Sequence, residues 1–146
     1  MKPHRLVFIL LLSCTWSWAQ EAIVLAIEPT TSGIFVTATV NGKQAHLLLD
    51  TGAARTIVDD RYAGKAVEVD RVSVNEPNGV QSAPIKEVEV FLGTLKLARW
   101  KAIVLNLSSA SSRAGIRIDG FLGLDVLSRF HFFQIDAKEK TLTLVR

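Results

Sequence analysis

The sequence predicts an all-β domain, and three observations support this prediction. Short runs rich in β-branched, aliphatic and aromatic residues recur along the chain. Turn-forming residues separate these runs at intervals of about 8–12 residues, which is typical of small β-barrels and sandwiches. A single segment, residues 124–130, predicts a helix, with Gly123 at its start and Asp125 in its first turn. Many short strands with one short helix favour a compact β-barrel or sandwich.

The strongest local prediction is a β-hairpin near the middle of the first half of the chain. Residues 33–40 and 44–49 are both β-prone, and Asn41-Gly42 joins them. Asn-Gly between two such runs is typical of a tight hairpin turn. A second hairpin is predicted at residues 69–84.

The remaining segments complete the predicted order. A short lead-in is expected at residues 20–32, a β-prone piece at 56–58, and a turn or single helical turn at 59–64. Two strands are expected at 88–97, with Gly93 in a bend, and at 100–107. A surface loop at 107–115 and a final hairpin from 132–135 and 141–145 follow.

The first 19 residues have the three-part pattern of a secretory signal peptide. Two positive charges and no acid come first, an apolar stretch follows at residues 6–12, and small residues stand two apart at the end. The stretch up to Ala19 is short for a bilayer span. We therefore expect cleavage after Ala19, which leaves residues 20–146 as one exported domain, periplasmic or secreted.

Cys14 is the only cysteine of the chain, and it offers an alternative to cleavage after Ala19. The sequence Leu-Leu-Ser-Cys that ends at Cys14 resembles the lipobox of bacterial lipoproteins, in which the cysteine carries a lipid anchor to the cell envelope. In either case the domain that follows has no disulfide and no cysteine-based metal site. Its hydrophobic core alone must stabilise it.

Charge and histidine content exclude several classes of function. The formal net charge is +3, and removal of the leader deletes two bases and no acid, which lowers it to +1. No basic patch therefore indicates a nucleic-acid partner. Only His46 and His131 remain after the leader, which argues against a zinc or Ser-His-Asp site. We expect neither a metal nor another cofactor.

The triplet Asp50-Thr51-Gly52 is the most informative motif, and it occurs once, directly after the aliphatic residues 47–49. Burying a carboxylate is unfavourable unless it is paired, hydrogen-bonded or protonated. An acid at the end of an apolar strand therefore indicates a catalytic or binding role for its carboxylate. The alternative is that Asp50 only caps the turn after the strand.

Three separated segments resemble the retropepsin-like aspartic proteases. Residues 44–58 are similar to the active-site strand and loop of that family, and residues 77–79 lie where the family has its mobile flap. Residues 121–123 lead into the predicted helix and resemble the second family signature. The resemblance extends over residues 33–145 and fits the exported bacterial members best. It implies a single-lobe closed β-barrel with one short C-terminal helix.

The resemblance implies an aspartic endopeptidase that is active as a homodimer. In that family one carboxylate takes a proton from water while its protonated partner polarises the peptide carbonyl. This chain supplies one such acid, so the Asp50 residues of two chains would meet across a two-fold axis. Peptides or unfolded proteins would be the substrates. The alternative is a non-catalytic peptide-binding or envelope assembly module with the same fold.

The resemblance also implies roles for the residues around Asp50. Thr51 would form a hydrogen bond across the dimer, Gly52 would let the substrate backbone approach, and Ala53 would line the cleft. The residues that would support this loop are Phe121, Leu122 and Gly123. The flap residues that would close over a bound peptide are Pro77, Asn78 and Gly79. The flap turn differs from retroviral relatives because it lacks their glycine-rich tip.

Four other residues receive structural interpretations from the sequence. Asp119 is interpreted as a loop acid and Asp125 as an acid at a helix start, rather than as a second catalytic acid. Arg55 is expected either to screen a charge or to face solvent. Trp100 is expected in the core or at an interface.

Overall fold

A computed structural model describes residues 21–76 and 79–146, which contain ten strands and three short helices. The strands are β1 (Ala22–Thr30), β2 (Gly33–Val40), β3 (Lys43–Leu49), β4 (Ile57–Asp59), β5 (Glu68–Glu76), β6 (Gly79–Leu92), β7 (Leu95–Leu105), β8 (Gly120–Leu122), β9 (Phe132–Asp136) and β10 (Thr141–Val145). The helices are α1 (Asp60–Ala63), α2 (Ser108–Ala114) and α3 (Leu124–Leu127). The all-β prediction is confirmed.

All ten strands belong to one sheet, which folds back on itself. The strand order is β5-β6-β7-β4-β8-β3-β2-β1-β10-β9. An additional pairing of β2 with β6, through Thr39 opposite Phe91 and Val40 opposite Val90, joins the strands from β6 to β2 into a ring. Aliphatic side chains fill the ring, among them the fully buried Val36, Leu47 and Leu122.

The predicted Asn-Gly hairpin is present. Asn41 and Gly42 both have positive φ, 47° and 79°, and β2 pairs with β3 from Phe35–Leu48 to Val40–Lys43. Positive φ at both central residues is what a two-residue hairpin turn of this kind requires. This turn fixes the register that delivers Asp50 at the end of β3.

The prediction that residues 88–97 form one strand is wrong, although the predicted bend at Gly93 is present. β6 ends at Leu92 and β7 begins at Leu95, because Gly93 adopts a φ of +56° and reverses the chain between them. Glycine reaches this left-handed region without a steric penalty. β6 is also longer than predicted, since it continues from the second hairpin to the turn at Gly93.

The prediction of a single helix is also wrong. Residues 108–114, predicted as a loop, form α2, which ends at Gly115 with a left-handed φ of 65°. The Ser111 hydroxyl accepts the Ile118 N–H at 3.0 Å and fixes the helix against the chain that follows. α3 ends at Leu127, earlier than expected, and the hydrogen bonds after it span three residues, as in tight turns.

The two terminal strands of the described chain pair with each other. β1, which the sequence indicated only as a lead-in, runs antiparallel to β10, with Ala22 opposite Val145. The Arg146 N–H also donates to the Glu21 carbonyl at 3.1 Å. The leader, residues 1–19, lies outside the described residues. Within the described ranges no helix is long and apolar enough to cross a membrane.

Candidate active site

The strand β8 lies between β3 and β4, and this arrangement builds the site. β8 runs parallel to β3, with Leu48 opposite Phe121, and antiparallel to β4, with Ile57 opposite the same Phe121. The loop from Asp50 to Thr56 connects the ends of β3 and β4 and therefore passes directly over the end of β8. The two segments that resemble family signatures are adjacent in space for this reason.

Asp50 is half-buried, and the backbone of its own loop holds its side chain. Its N–H donates to the Leu122 carbonyl at 3.1 Å, which continues the pairing of β3 with β8. Its Oδ1 accepts the N–H groups of Gly52 at 2.8 Å and Ala53 at 3.2 Å. Within the described part of the chain its Oδ2 accepts no hydrogen bond. The carboxylate is thus oriented at one oxygen and open at the other.

The three residues after Asp50 differ in exposure. Thr51 and Gly52 are exposed, and Ala53 is half-buried. A Cβ atom on Gly52 would lie 3.2 Å from Asp50 Oδ1, so the space for a side chain there is tight. The Thr51 hydroxyl makes no hydrogen bond to the described residues of its own chain, and its bond across a dimer stays a prediction.

Gly123 lets the active-site loop contact the backbone at the start of α3. A Cβ atom at this position would lie 2.6 Å from the Arg55 carbonyl carbon and 2.8 Å from the Thr56 nitrogen. Real Cβ atoms do not come this close to backbone atoms, so a side chain would push the two segments apart. Beside this contact the Leu124 N–H donates to the Ala53 carbonyl at 2.8 Å. The loop and α3 form one unit.

Thr56 and Asp125 fasten this unit, and sequence reasoning missed their partnership. Thr56 is fully buried and donates to Asp125 Oδ1 through its hydroxyl at 2.8 Å and through its N–H at 2.9 Å. Its hydroxyl also accepts the Gly123 N–H at 3.2 Å. Asp125 does lie in the first turn of α3, as predicted, but it also holds the loop. In the sequence, the only indication of this partnership was that Thr56, a residue with a hydroxyl group, begins a short apolar run.

A family model described as "gag-polyprotein putative aspartyl protease" matches residues 36–129, well over half of the chain. The chain belongs to this retropepsin-like family. The matched range includes the Asp50 loop, β8 and α3.

Two solved structures show the same fold. A retropepsin-like aspartic protease from Rickettsia conorii is 22% identical, with 89% of this chain and 96% of that chain covered and a TM-score of 0.57. The retroviral protease-like domain of Ddi1 from Leishmania major is also 22% identical, with 75% and 86% covered and a TM-score of 0.51. No curated protein matches the sequence.

The retropepsin-like domain has a second group of acids at the opposite ends of β3 and β8. Asp119, in the connection before β8, is 1% exposed. Its Oδ2 accepts the His46 N–H at 3.0 Å and its Oδ1 accepts Arg117 Nε at 2.6 Å. Burial alone would raise the pKa of Asp119, but the bonds from His46 and Arg117 hold that pKa below its ordinary value. This loop acid is therefore a buried, ionised structural group.

Asp59 is the second acid of this group and is fully buried. Its Oδ1 accepts the N–H and Nε of Arg61 at 3.1 and 2.5 Å, and its Oδ2 accepts the Leu107 N–H at 2.9 Å. Burial opposes ionisation here too, yet the bonds from Arg61 and Leu107 lower the pKa of Asp59. Arg61 also approaches Asp119 Oδ1 at 3.5 Å, so the two acids share one cation.

The hairpin that is predicted to act as a flap is formed by β5 and β6. These strands pair as far as Glu76 opposite Gly79. Pro77 and Asn78, the predicted tip residues, lie outside the described residues. Gly79 begins β6 with a φ of +129°, which favours glycine.

Among residues 21–76 and 79–146, no three His, Cys, Asp or Glu side chains stand close enough together to hold a metal ion. The groups that the fold brings together at the site are one carboxylate, backbone N–H groups and a supporting hydroxyl. Such groups can act on a proton and a water molecule.

Proposed function

We propose that this protein is an aspartic endopeptidase in which Asp50 of two identical chains activates one water molecule. The observation that carries the proposal is the hydrogen bonding of the Asp50 carboxylate. Its Oδ1 is oriented by the Gly52 and Ala53 N–H groups, and its Oδ2 is not engaged by any described residue. Membership of the retropepsin-like family supports the same reaction.

The chemistry requires two carboxylates close together. Two such groups about 3 Å apart cannot both ionise, so they share one proton. The ionised member takes a proton from water, and the protonated member donates to the carbonyl oxygen of the scissile peptide bond. The pair titrates as a unit. Each chain then contributes half of a catalytic group.

The second carboxylate comes from a second chain, because the neighbouring acids of the same chain are engaged elsewhere. Asp125 accepts the hydroxyl and N–H of Thr56, and Asp119 accepts the His46 N–H and the Arg117 guanidinium. A two-fold axis beside the Asp50 loop would bring the two free oxygens together. In this dimer Thr51 forms its hydrogen bond to the partner chain, and the flap hairpin closes over the peptide.

We also propose that the protein acts outside the cytoplasm, in the periplasm or as a secreted protein, on peptides or unfolded proteins. The support for export is the charged, apolar and small-residue pattern of residues 1–19. Mass spectrometry of the mature N-terminus tests this: a chain that begins at Gln20 is expected. A lipid on Cys14 would replace the secreted form with an envelope-anchored one.

The direct test of the reaction is cleavage of an unfolded protein by the Asp50→Asn variant. We expect a loss of at least about a thousandfold in kcat/KM, because the variant cannot hold or release the catalytic proton. Its fold should survive, since the Asn oxygen can still accept the Gly52 and Ala53 N–H groups. Asp60→Asn is the matched control, because Asp60 is an exposed acid on α1. Equal cleavage by the Asp50 and Asp60 variants would refute the role of Asp50, and a wild-type protein that cleaves nothing would favour a non-catalytic peptide-binding module.

A further inference from the structure

A groove of about 500 Å³ lies beside the active-site loop and takes no part in the chemistry above. It is lined by Ala54, Arg55, Arg99, Trp100, Lys101 and Asp125. The loop itself supplies Ala54 and Arg55, which directly follow the cleft residue Ala53. Along the chain the lining therefore begins directly after Ala53, and β7 and the start of α3 supply the rest of it.

Bases outnumber acids in the lining of this groove, and two of the bases are available. The side chains of Arg55 and Lys101 are exposed and form no ion pair or hydrogen bond with the described residues. Lys101 nevertheless lies opposite Glu87 in the sheet, and besides the bonds from Arg99 its charge helps to lower the pKa of Glu87. Arg99 is different, because its guanidinium binds the Glu87 carboxylate at 2.8 and 3.2 Å. The bonds from Arg99 hold the pKa of Glu87 below its ordinary value, so this pair is charged and internally matched.

The one acid in the lining is already saturated with donors at one oxygen. Asp125 Oδ1 accepts the hydroxyl and N–H of Thr56 and the N–H of Val126, the last at 3.0 Å. Asp125 is thus committed to the loop and to α3. Among the described residues, Asp125 forms no ion pair with Arg55 or with any other base, and its donors are the groups of Thr56 and Val126.

Trp100 adds a second observation that points to a missing acceptor. Its Nε1 is buried and has no hydrogen-bond partner within the described residues. Buried indole N–H groups usually find an acceptor. The Arg129 guanidinium lies 5.1 Å from the centre of the Trp100 ring, which adds a further cation near the groove. The groove lining thus contains three bases, of which Arg99 is paired with Glu87, and one acid, Asp125.

We propose that this groove binds the carboxylate side chain of an Asp or Glu residue in the peptide substrate. Arg55 is the principal contact, because it is free, exposed and closest in sequence to the catalytic loop. Lys101 adds charge from the β7 side. The groove acts on substrate choice and takes no part in the reaction, and the inference rests on the proposed function only in assuming that a peptide occupies the cleft.

Selection from a random peptide library displayed on phage tests this without any cleavage. The bait is the full protein carrying Asp50→Asn, alone or combined with Arg55→Glu or Arg113→Glu. Arg113 is an exposed base on α2 and lies outside the groove, so it is the matched charge-reversal control. The displayed peptides are fused at their C-terminus, so an acidic preference reports side chains and not a terminal carboxylate.

We expect Asp or Glu to be enriched at one fixed position by the Asp50→Asn bait and by its Arg113→Glu combination, and to be lost with Arg55→Glu. Absence of acidic enrichment, or enrichment that survives Arg55→Glu, would overturn the inference. Enrichment in a protein that cleaves nothing would instead keep the groove and reject the proposed reaction.

Wild-type kinetics give a second measure of the same contact. Two peptides that differ only by Glu or Gln at the selected position should differ about five- to tenfold in kcat/KM, as charge-assisted hydrogen bonds at an exposed site allow. The ratio should fall toward one in Arg55→Glu, and toward one at high salt because the groove is exposed. A ratio that is insensitive to both changes would contradict a charge contact.

Discussion

The two ends of β3 and β8 carry the same type of side chain in opposite states. At one end, Asp119 is buried, and backbone and guanidinium groups occupy both of its oxygens. At the other end, Asp50 is half-buried, only one of its oxygens is engaged, and its donors are backbone N–H groups of its own loop. No arginine or lysine of the described chain forms an ion pair with Asp50.

This difference indicates which of the two acids can exchange a proton in a reaction. A carboxylate whose oxygens are all bonded to cations and amides is locked in its ionised form and stabilises the fold. A carboxylate that is oriented at one oxygen and open at the other can exchange a proton with water or with a second acid. The same strands therefore hold a structural acid at one end and a candidate catalytic acid at the other.

The largest expected difference between the two ends is in stability. Asp119→Ala should lower the free energy of unfolding by about 3 kcal/mol, because it removes a buried acid that accepts bonds from Arg117 and from the His46 N–H. Asp50→Ala should cost about 0.5 kcal/mol or less, since its partners are near solvent. Urea unfolding of both variants measures this. A larger loss for Asp50→Ala than for Asp119→Ala would reverse the assignment of structural and catalytic acids.

A smaller effect is expected where the loop meets α3. Gly123→Ala should cost about 2 kcal/mol and reduce kcat, because the new Cβ would collide with the Arg55 and Thr56 backbone. Gly42→Ala is the control: its φ of +79° makes the substitution strained by about 1 kcal/mol, but no atom lies within 4 Å of the new Cβ. Thermal unfolding and cleavage assays separate the two. Equal activity in both variants would show that loop position does not affect the reaction.

The smallest expected effect is the dependence of stability on pH. Asp59 and Asp119 have folded-state pKa values below their ordinary value of 3.8, so the unfolded chain binds their protons more readily. Their stabilisation is complete above that value and is lost as the pH falls through the lower folded pKa values. Unfolding free energy should decline below about pH 4. The decline should be shallower in Asp119→Asn, and an unchanged slope would contradict the ionised state of that acid.

Much of the sheet could be predicted from local pattern. The Asn41-Gly42 hairpin follows from two residues that tolerate positive φ between β-prone runs, and the final hairpin follows from alternation. The helix α2 could not be predicted in this way. Its serines and alanines have no apolar periodicity, and the helix depends on contacts such as the bond between Ser111 and Ile118.

The candidate site was predictable only where residue type and position coincide. Asp50 directly follows an aliphatic run, and burying a carboxylate there is unfavourable. The sequence alone therefore indicates a functional role for this acid. The bond between Thr56 and Asp125 joins residues 69 positions apart, and no local pattern encodes it. The resemblance implies that Gly123 supports the active-site loop, but only the structure shows that the close approach of the Arg55 backbone leaves no room for a side chain there.

Mixing wild-type and Asp50→Asn chains tests most directly whether one site needs the acids of two chains. Chains are combined at equal amounts, exchanged to equilibrium and assayed for cleavage at constant total concentration, with sedimentation used to check that both variants associate alike. If only pairs with two Asp50 residues are active, about one quarter of the wild-type activity should remain, because random association produces that share of such pairs. Retention of half the activity would show that each chain works alone and would contradict the shared site.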